Sequence, residues 1–298
     1  MSEQTFNQWQ AWGLAIRPRT LPAAAAGVLM GGALAWRDGF FRLDATLVCL
    51  FAALLLQIGS NLANDVFDFE RGTDTPERLG PTRVTQAGLL TSSQVKFGMA
   101  VVFVLSALMG LYLIWLGGWV ILAIGIAAII SAVAYTGGPF PLGYYGLGDV
   151  FVFIFFGLAS VAGTYYVQAG DVSSAAWWMT LPPGLIITAI LVVNNLRDLE
   201  NDRKAGKYTL AVMFGEQFAK AEYLTCIFAA YLILPVAAWF GLIPWLSLMA
   251  WASFPIAFRA IRTVFTQKGR PLNAALAGTG QAAFMFSLLF WIGLALQR

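Results

Sequence analysis

The chain has 298 residues, of which 59% are hydrophobic and 11% are charged, and its formal net charge is +3. Its mean hydropathy is +0.73, and its apolar content exceeds the roughly 45–50% that is typical of soluble domains. The composition therefore predicts an integral membrane protein and excludes an ordinary soluble domain. Histidine is absent from the sequence, which excludes a Ser-His-Asp triad, haem bound through histidine and histidine-based zinc sites.

Apolar stretches of about 20 residues are long enough to cross a bilayer as helices. The segment before the first stretch is polar up to Gln10 and shows no cleavable signal, while Trp9 to Leu21 is typical of an interfacial segment. Nine stretches follow, and they predict an all-α integral membrane protein, a nine-transmembrane-helix bundle forming a single domain over residues 1–298. In chain order, the predicted spans are roughly 20–36, 46–63, 95–115, 119–135, 147–166, 177–194, 220–240, 243–258 and 274–296.

Basic residues predict the orientation of this bundle, because the cytoplasmic loops of membrane proteins carry an excess of Lys and Arg. With nine spans and the N-terminus inside, fifteen of the eighteen basic residues fall on the cytoplasmic side. Arg37, Arg42 and Arg298 remain on the outer side. We therefore expect an N-in, C-out protein.

Two acidic clusters stand out, each at the C-terminal end of an apolar stretch. Eight of the fifteen Asp and Glu residues lie in the windows 65–77 and 198–202. On a helix, positions i, i+3, i+4 and i+7 share one face, so each cluster predicts a stripe of amides and carboxylates. The first acidic motif contains Asn61, Asn64, Asp65 and Asp68, and the second acidic motif contains Asn194, Asn195, Asp198 and Asp202.

This placement indicates a bound cation. Carboxylates at the C-terminal end of a helix meet the negative end of the macrodipole, which is unfavourable by a few tenths to about 1 kcal/mol each. Mg²⁺ would compensate, and it characteristically bridges one or two carboxylates to substrate phosphates. Cationic side chains that could bind the remaining oxygens of a diphosphate follow both motifs. They are Arg71, Arg78 and Arg83 after the first, and Arg203, Lys204 and Lys207 after the second.

The alternative interpretation is a solvated acidic face beside a span, which is the usual explanation for a single acidic loop. The basic residues are weak support by themselves, because the cytoplasmic bias of Lys and Arg would place them there regardless. Two stripes at helical spacing on the same side of the membrane favour a ligand site.

Several segments together resemble the UbiA superfamily of intramembrane prenyltransferases over essentially the whole chain. The first acidic motif is similar to the family's Asn-Asp-x-x-Asp motif, and the second is similar to its Asp-x-x-x-Asp motif. Within the superfamily, the residues are most similar to the subgroup that prenylates 1,4-dihydroxy-2-naphthoate in menaquinone synthesis. Further matching segments are Arg17 to Pro22, Gly80 to Arg83 with Gln86 and Gly88, Tyr145 to Asp149, and Asn194 to Asp198 continuing to Gly206 to Leu210.

The resemblance implies transfer of a polyprenyl group from polyprenyl diphosphate to 1,4-dihydroxy-2-naphthoate, with loss of CO₂ and diphosphate, giving demethylmenaquinol. It places the chain in the bilayer of a bacterial inner membrane, with an active site facing the cytoplasm, and no nucleic acid is expected as a partner. Many members carry a third Asp where Gly72 stands here, and Asp74 is the next acid. The catalytic residues it implies are Asn64, Asp65, Asp68, Asp198 and Asp202, with Mg²⁺ held by Asp65, Asp68, Asp74, Asp198 and Asp202.

Other side chains are expected to contact the two substrates. The carboxylate and hydroxyls of the ring need polar partners, for which Arg17, Arg19, Arg83 and Asn64 are candidates. An allylic cation could be sheltered by aromatic faces at Phe67, Tyr135, Tyr144 or Tyr145, although aromatic residues at membrane boundaries usually form interfacial belts. The full predicted substrate-binding set is Arg17, Arg19, Asn61, Arg71, Asp74, Arg83, Tyr135, Asn194, Asn195, Arg203, Lys204 and Lys207.

Two alternatives remain open at this point. The acceptor could be another aromatic compound, such as homogentisate or 4-hydroxybenzoate. The competing class is a polytopic transporter, which would tend to place charged residues and broken helices near the bilayer midplane. The middle of the predicted spans is nearly free of ionisable groups, which disfavours a transporter.

Overall fold

The structure is a computed structural model that describes residues 7–73 and 78–297. Asp74 and Arg298, for which the sequence makes predictions, lie outside the described residues, as do the first six positions. All regular elements in the described part are helical, which confirms the predicted all-α class. The helices are α1 (Gln8–Ile16), α2 (Leu21–Arg37), α3 (Leu43–Glu70), α4 (Ser92–Ala134), α5 (Gly148–Ala169), α6 (Ser174–Lys204), α7 (Leu210–Phe214), α8 (Glu216–Trp239), α9 (Phe254–Thr266) and α10 (Leu272–Ala295).

Within residues 7–73 and 78–297, six helices are long and apolar enough to cross a membrane: α3, α4, α5, α6, α8 and α10. The chain is thus a multi-pass membrane protein. Helix α2 has 17 residues, and the predicted span 243–258 is divided between a 3₁₀ segment, Trp245–Ser253, and α9. The nine-span count and the N-in, C-out orientation therefore stay predictions.

Helix α4 contains two of the predicted spans. Gly118 interrupts it with φ 64° and ψ −151°, a region in which glycine lacks the steric penalty of other residues. Both ends of α4 lie beside the C-terminal part of α3, because Val95 belongs to the same buried cluster as Val66 and Thr136, two residues after α4, donates to Asn64 at 3.0 Å. The helix therefore doubles back at Gly118, in agreement with separate predicted spans at 95–115 and 119–135.

Small residues allow the central helices to pack closely. A Cβ added at Gly27 of α2 would lie 2.4 Å from Ser160 Oγ, and one added at Gly31 would lie 2.5 Å from the Val161 carbonyl oxygen. These glycines lie four residues apart on the α2 face that meets α5, the spacing by which membrane helices bring their backbones together. The middle of α5, Phe153–Ala162, is π-helical. The main buried cluster then joins α2, α5, α6, α8 and α10.

Polar side chains collect at the two opposite ends of the bundle. At the end where α2 finishes, Arg37 binds Asp38 through two nitrogens and donates to the Leu242 carbonyl at 2.6 Å. Tyr165 also donates to Asp38, at 2.7 Å. The acidic motifs lie at the other end, where α3 and α6 finish. The fold thus separates a small structural cluster from the candidate site.

Candidate functional site

The structure brings the two acidic motifs together at one end of the bundle. The carboxylates of Asp68 and Asp202 lie close enough for their charges to repel each other, and Asp198 contributes to the same field. The half-buried Tyr135 lies within electrostatic range of both Asp68 and Asp202. The region between the C-terminal ends of α3 and α6 is therefore an acidic site built from both motifs.

Asp65 is fully buried and anchors the loop that follows α3. Its Oδ1 accepts from the Thr85 N–H at 2.9 Å, and its Oδ2 accepts from the Val84 N–H at 3.1 Å. Arg17 Nη2 lies 3.8 Å from the same Oδ2. Both oxygens of Asp65 are thus engaged by the protein itself.

Asp68 is buried and faces the second motif. Its Oδ2 accepts from Arg83 Nη2 at 2.8 Å, and its Oδ1 accepts from the Tyr144 hydroxyl at 2.9 Å. Arg83 is brought there by the loop that Asp65 anchors. The electrostatic environment of Asp68 also includes Lys207, so cations from both halves of the site stabilise this carboxylate.

In the second motif, Asp198 is paired with Arg197, whose side chain has no exposed surface. Arg197 binds both carboxylate oxygens of Asp198 and donates to Asn194 Oδ1 at 2.8 Å and to Asn273 Oδ1 at 2.7 Å. Asn273, at the start of α10, donates in turn to the Leu79 carbonyl at 2.9 Å. This chain of bonds links the second motif to the loop after the first.

Asp202 is the least engaged carboxylate. Lys207 Nζ lies 3.8 Å from its Oδ1, while its buried Oδ2 has no hydrogen-bond partner among the described residues. An uncompensated buried oxygen is costly, and a cation would satisfy it. No group of three or more Asp, Glu, Cys or His side chains converges within the described ranges. Two carboxylates, Asp68 and Asp202, fit an ion such as Mg²⁺ that takes its other oxygen ligands from outside the protein.

The amides of the motifs mainly fix the helices around the site. Asn61 is buried and donates to the Ile16 carbonyl at 2.9 Å and to Thr20 Oγ1 at 3.0 Å, tying α3 to the junction of α1 and α2. Asn64 accepts from Thr136, and Asn195 is buried within α6. Among the predicted cations, Arg19, Arg203 and Lys204 are exposed, and Arg203 pairs with Glu200 at 3.2 Å.

Sequence reasoning missed the roles of Arg197, Tyr144 and Asn273. Arg197 lies inside the second motif, so its position between an Asn and an Asp was the available signal. Tyr144 follows α4 and contacts the first motif and the segment after the second motif. Asn273 lies more than seventy residues after Arg197 in the chain, and the sequence carries no signal for their contact.

The fold and this site define a membrane-embedded protein that gathers carboxylates and cations at one end of a helical bundle. The model of the UbiA prenyltransferase family matches residues 24–289, and the chain belongs to this family. It is 38% identical to 1,4-dihydroxy-2-naphthoate octaprenyltransferase of Escherichia coli (strain K12), over 100% of this chain and 99% of that protein. It is 36% identical to the Haemophilus influenzae protein of the same name, over 98% of each.

Solved structures agree in fold. A UbiA homolog from Archaeoglobus fulgidus bound to DMAPP and Mg²⁺ superposes with a TM-score of 0.63 at 16% identity, covering 93% of this chain and 98% of that one. At this identity the likeness concerns the arrangement of helices.

Proposed function

We propose that this chain transfers a polyprenyl group from polyprenyl diphosphate to 1,4-dihydroxy-2-naphthoate, with loss of CO₂ and diphosphate, giving demethylmenaquinol for menaquinone biosynthesis. The observation that carries the proposal is the convergence of Asp68 and Asp202, which Tyr144 and Lys207 link, with one buried unpartnered oxygen on Asp202. It occurs in a chain similar over its full length to enzymes that bear this activity in their names.

The carboxylates at the ends of α3 and α6 would hold Mg²⁺ against the diphosphate. Asp68 and Asp202 are best placed for this, and the sequence adds Asp65, Asp74 and Asp198 as further candidates. Bound Mg²⁺ would supply charge neutralisation on the departing diphosphate. Asp65 and Asp198 already bind loop amides and Arg197, so their present contribution is to position the elements that carry the other two.

Cations near these carboxylates would bind the diphosphate oxygens that the metal leaves free. Lys207 lies beside Asp202 and Arg83 beside Asp68, so each can reach an anion held between the two motifs. Arg71 is exposed at the end of α3 and donates to the Gly138 carbonyl at 2.7 Å. We propose that Arg83 and Lys207 contact the diphosphate directly, with Arg71 at its solvent side.

The bond that breaks is the allylic C–O bond, and the bond that forms joins the allylic carbon to the ring carbon that carries the carboxyl group. The electron-rich ring can attack without a strong base. The bond between that ring carbon and the carboxyl carbon then breaks, and its electron pair stays on the ring and restores aromaticity as CO₂ leaves, so no ring proton has to be removed. Tyr135 lies near both acidic motifs, where its face can stabilise the allylic cation. Arg17, Arg19 and Asn64 are candidates for orienting the ring.

The membrane arrangement belongs to the same proposal. Nine spans with the N-terminus inside would place both motifs at the cytoplasmic face of a bacterial inner membrane, in a single domain over residues 1–298. The separation of the Asp38 cluster and the acidic site to opposite ends of the bundle supports this arrangement. The polyprenyl tail would then extend from the site between apolar helices that are open to lipid.

The test is an assay of the purified protein in lipid nanodiscs with one polyprenyl diphosphate and three acceptors: 1,4-dihydroxy-2-naphthoate, homogentisate and 4-hydroxybenzoate. We expect mass spectrometry to detect prenylated product from the naphthoate alone. EDTA should stop the reaction and excess Mg²⁺ should restore it. Product from another acceptor would change the assigned substrate, and solute counterflow in proteoliposomes without any prenyl transfer would indicate a transporter.

A further inference from the structure

Tyr144 lies between the segments that follow the two acidic motifs. Its hydroxyl donates to Asp68 Oδ1 at 2.9 Å. The hydroxyl oxygen of Tyr144 also lies 2.9 Å from Thr73 Oγ1. Its carbonyl accepts from the Tyr208 N–H at 2.9 Å. One residue from the loop after α4 therefore contacts the first motif through its side chain and the segment after the second motif through its backbone.

The ring of Tyr144 also contacts cations from both segments. The Arg71 guanidinium carbon lies 5.2 Å from the ring centroid, and Lys207 Nζ lies 5.3 Å from it. Both distances are within the range of favourable cation–π interactions. Since Lys207 also approaches Asp202, the ring places this cation where it can reach both the carboxylate and a bound anion.

The hydroxyl of Tyr144 remains a hydrogen-bond donor across the physiological range. Tyr144 is buried, and a tyrosine hydroxyl is an uncharged hydrogen-bond donor at neutral pH. The phenol therefore stays neutral next to the carboxylate. A neutral donor fixes the orientation of Asp68 without adding a charge that would compete with a metal ion.

We propose that Tyr144 is a positioning residue that orients Asp68 through its hydroxyl and Lys207 through its ring, so that the two acidic motifs bind one metal–diphosphate complex. This inference rests on the proposed function and adds to it a residue outside both motifs. Hydrogen-bond partners of metal ligands contribute about 10- to 100-fold to metal affinity or activity. Tyr144 is expected to contribute an effect of that size.

The first experiment measures metal binding without substrate, using Mn²⁺ as an electron paramagnetic resonance probe in place of Mg²⁺. Tyr144→Phe keeps the ring and its volume but removes the bond to Asp68, so the fold should survive. We expect it to weaken Mn²⁺ binding by about 10-fold or more. Tyr145→Phe is the matched control, because Tyr145 is exposed and stacks on Phe140 with centroids 4.0 Å apart; its affinity should change by less than about twofold.

A double-variant cycle tests whether Tyr144 acts through Asp68. In an Asp68→Asn background, adding Tyr144→Phe should change Mn²⁺ affinity by less than about twofold, because the bond to a carboxylate is already gone. Tyr144→Leu removes the ring as well, and should additionally raise the KM for polyprenyl diphosphate.

The proposal is overturned if Tyr144→Phe binds Mn²⁺ as the unmodified protein does, or if its effect persists undiminished with Asp68→Asn. Thermal unfolding of each variant identifies any that fail to fold. If Tyr144→Leu does not fold, Tyr144→Trp replaces it, because Trp retains an aromatic face, and its KM for polyprenyl diphosphate decides the role of the ring. Metal binding is measured without substrate, so the two proposals can fail separately. If Tyr144→Phe weakens Mn²⁺ binding but the unmodified protein prenylates no naphthoate, the proposed reaction is wrong and the positioning role of Tyr144 is kept.

Discussion

In the first acidic motif the anchoring carboxylate, Asp65, is held by the backbone of a loop, whereas in the second motif Asp198 is held by the side chain of Arg197. The remaining carboxylates also differ. Asp68 has a guanidinium and a phenol as close partners, while Asp202 has one lysine at 3.8 Å and an unpartnered oxygen. The charge of Asp68 is therefore compensated by close partners within the protein, whereas Asp202 keeps an oxygen that a cation could contact.

This difference indicates a division of labour within each motif. Asp65 and Asp198 bond to the surrounding elements, and Asp68 and Asp202 are the proposed metal ligands. Asp65 is held by backbone amides and Asp198 by a guanidinium, so loss of the first anchor should loosen a loop and loss of the second should lower stability. Substitution of the two proposed metal ligands should have larger effects on activity than substitution of the two anchors.

The largest effect should come from Asp68→Asn and Asp202→Asn, each of which preserves side-chain size and removes the charge that a metal requires. We expect product formation to fall by about 10²- to 10³-fold, the usual cost of losing a group that stabilises the departing charge. Mass spectrometry of the quinol product measures this. The control is Glu200→Gln, which removes an exposed carboxylate outside both motifs and should retain normal turnover. Near-normal turnover from Asp202→Asn would remove Asp202 from the proposed metal site.

Arg197→Met should have the next largest effect, and chiefly on stability. It leaves the buried Asp198 without its cation and breaks the bonds to Asn194 and Asn273. Breaking a buried ion pair from one side costs about 3–5 kcal/mol of unfolding free energy. Denaturation of the protein in detergent tests this, with Arg203→Met as the comparison because Arg203 forms an exposed pair that contributes little. Equal stability of the two variants would contradict the anchoring role of Arg197.

Asp65→Asn should have a smaller effect, because an amide can still accept from one loop N–H. We expect faster hydrogen exchange at Val84 and Thr85, whose amides Asp65 now holds. Mn²⁺ affinity should fall less than it does in Asp68→Asn. If both variants lose Mn²⁺ equally and exchange at Val84 is unchanged, Asp65 is a metal ligand, as the sequence also allows.

Much of this arrangement could be predicted from the sequence. The length of the apolar stretches predicts the helices, and the turn at Gly118 agrees with two separate spans. Helical spacing places each motif on one stripe, but a separation of three residues still leaves about 60° between Asp65 and Asp68, so they meet different neighbours. The contacts of Tyr144 and Asn273 depend on how distant segments pack, which no local pattern encodes.

The smallest effect should come from the opposite end of the bundle, where Asp38 receives bonds from Arg37 and Tyr165. Burial acts to raise the pKa of Asp38, but the bonds from Arg37 and Tyr165 outweigh it and leave the pKa below its usual value of 3.8. A lowered pKa in the folded state means that the charged form stabilises the fold above that usual value, and that this contribution disappears as the pH falls through the folded-state pKa. Asp38→Asn should therefore lower the unfolding free energy by about 1 kcal/mol at neutral pH, with no change in metal affinity, and the difference from the unmodified protein should vanish in acid. A loss of Mn²⁺ binding in this variant would mean that the two ends are coupled through α2, and the acidic site would then depend on more of the bundle than its own carboxylates and loops.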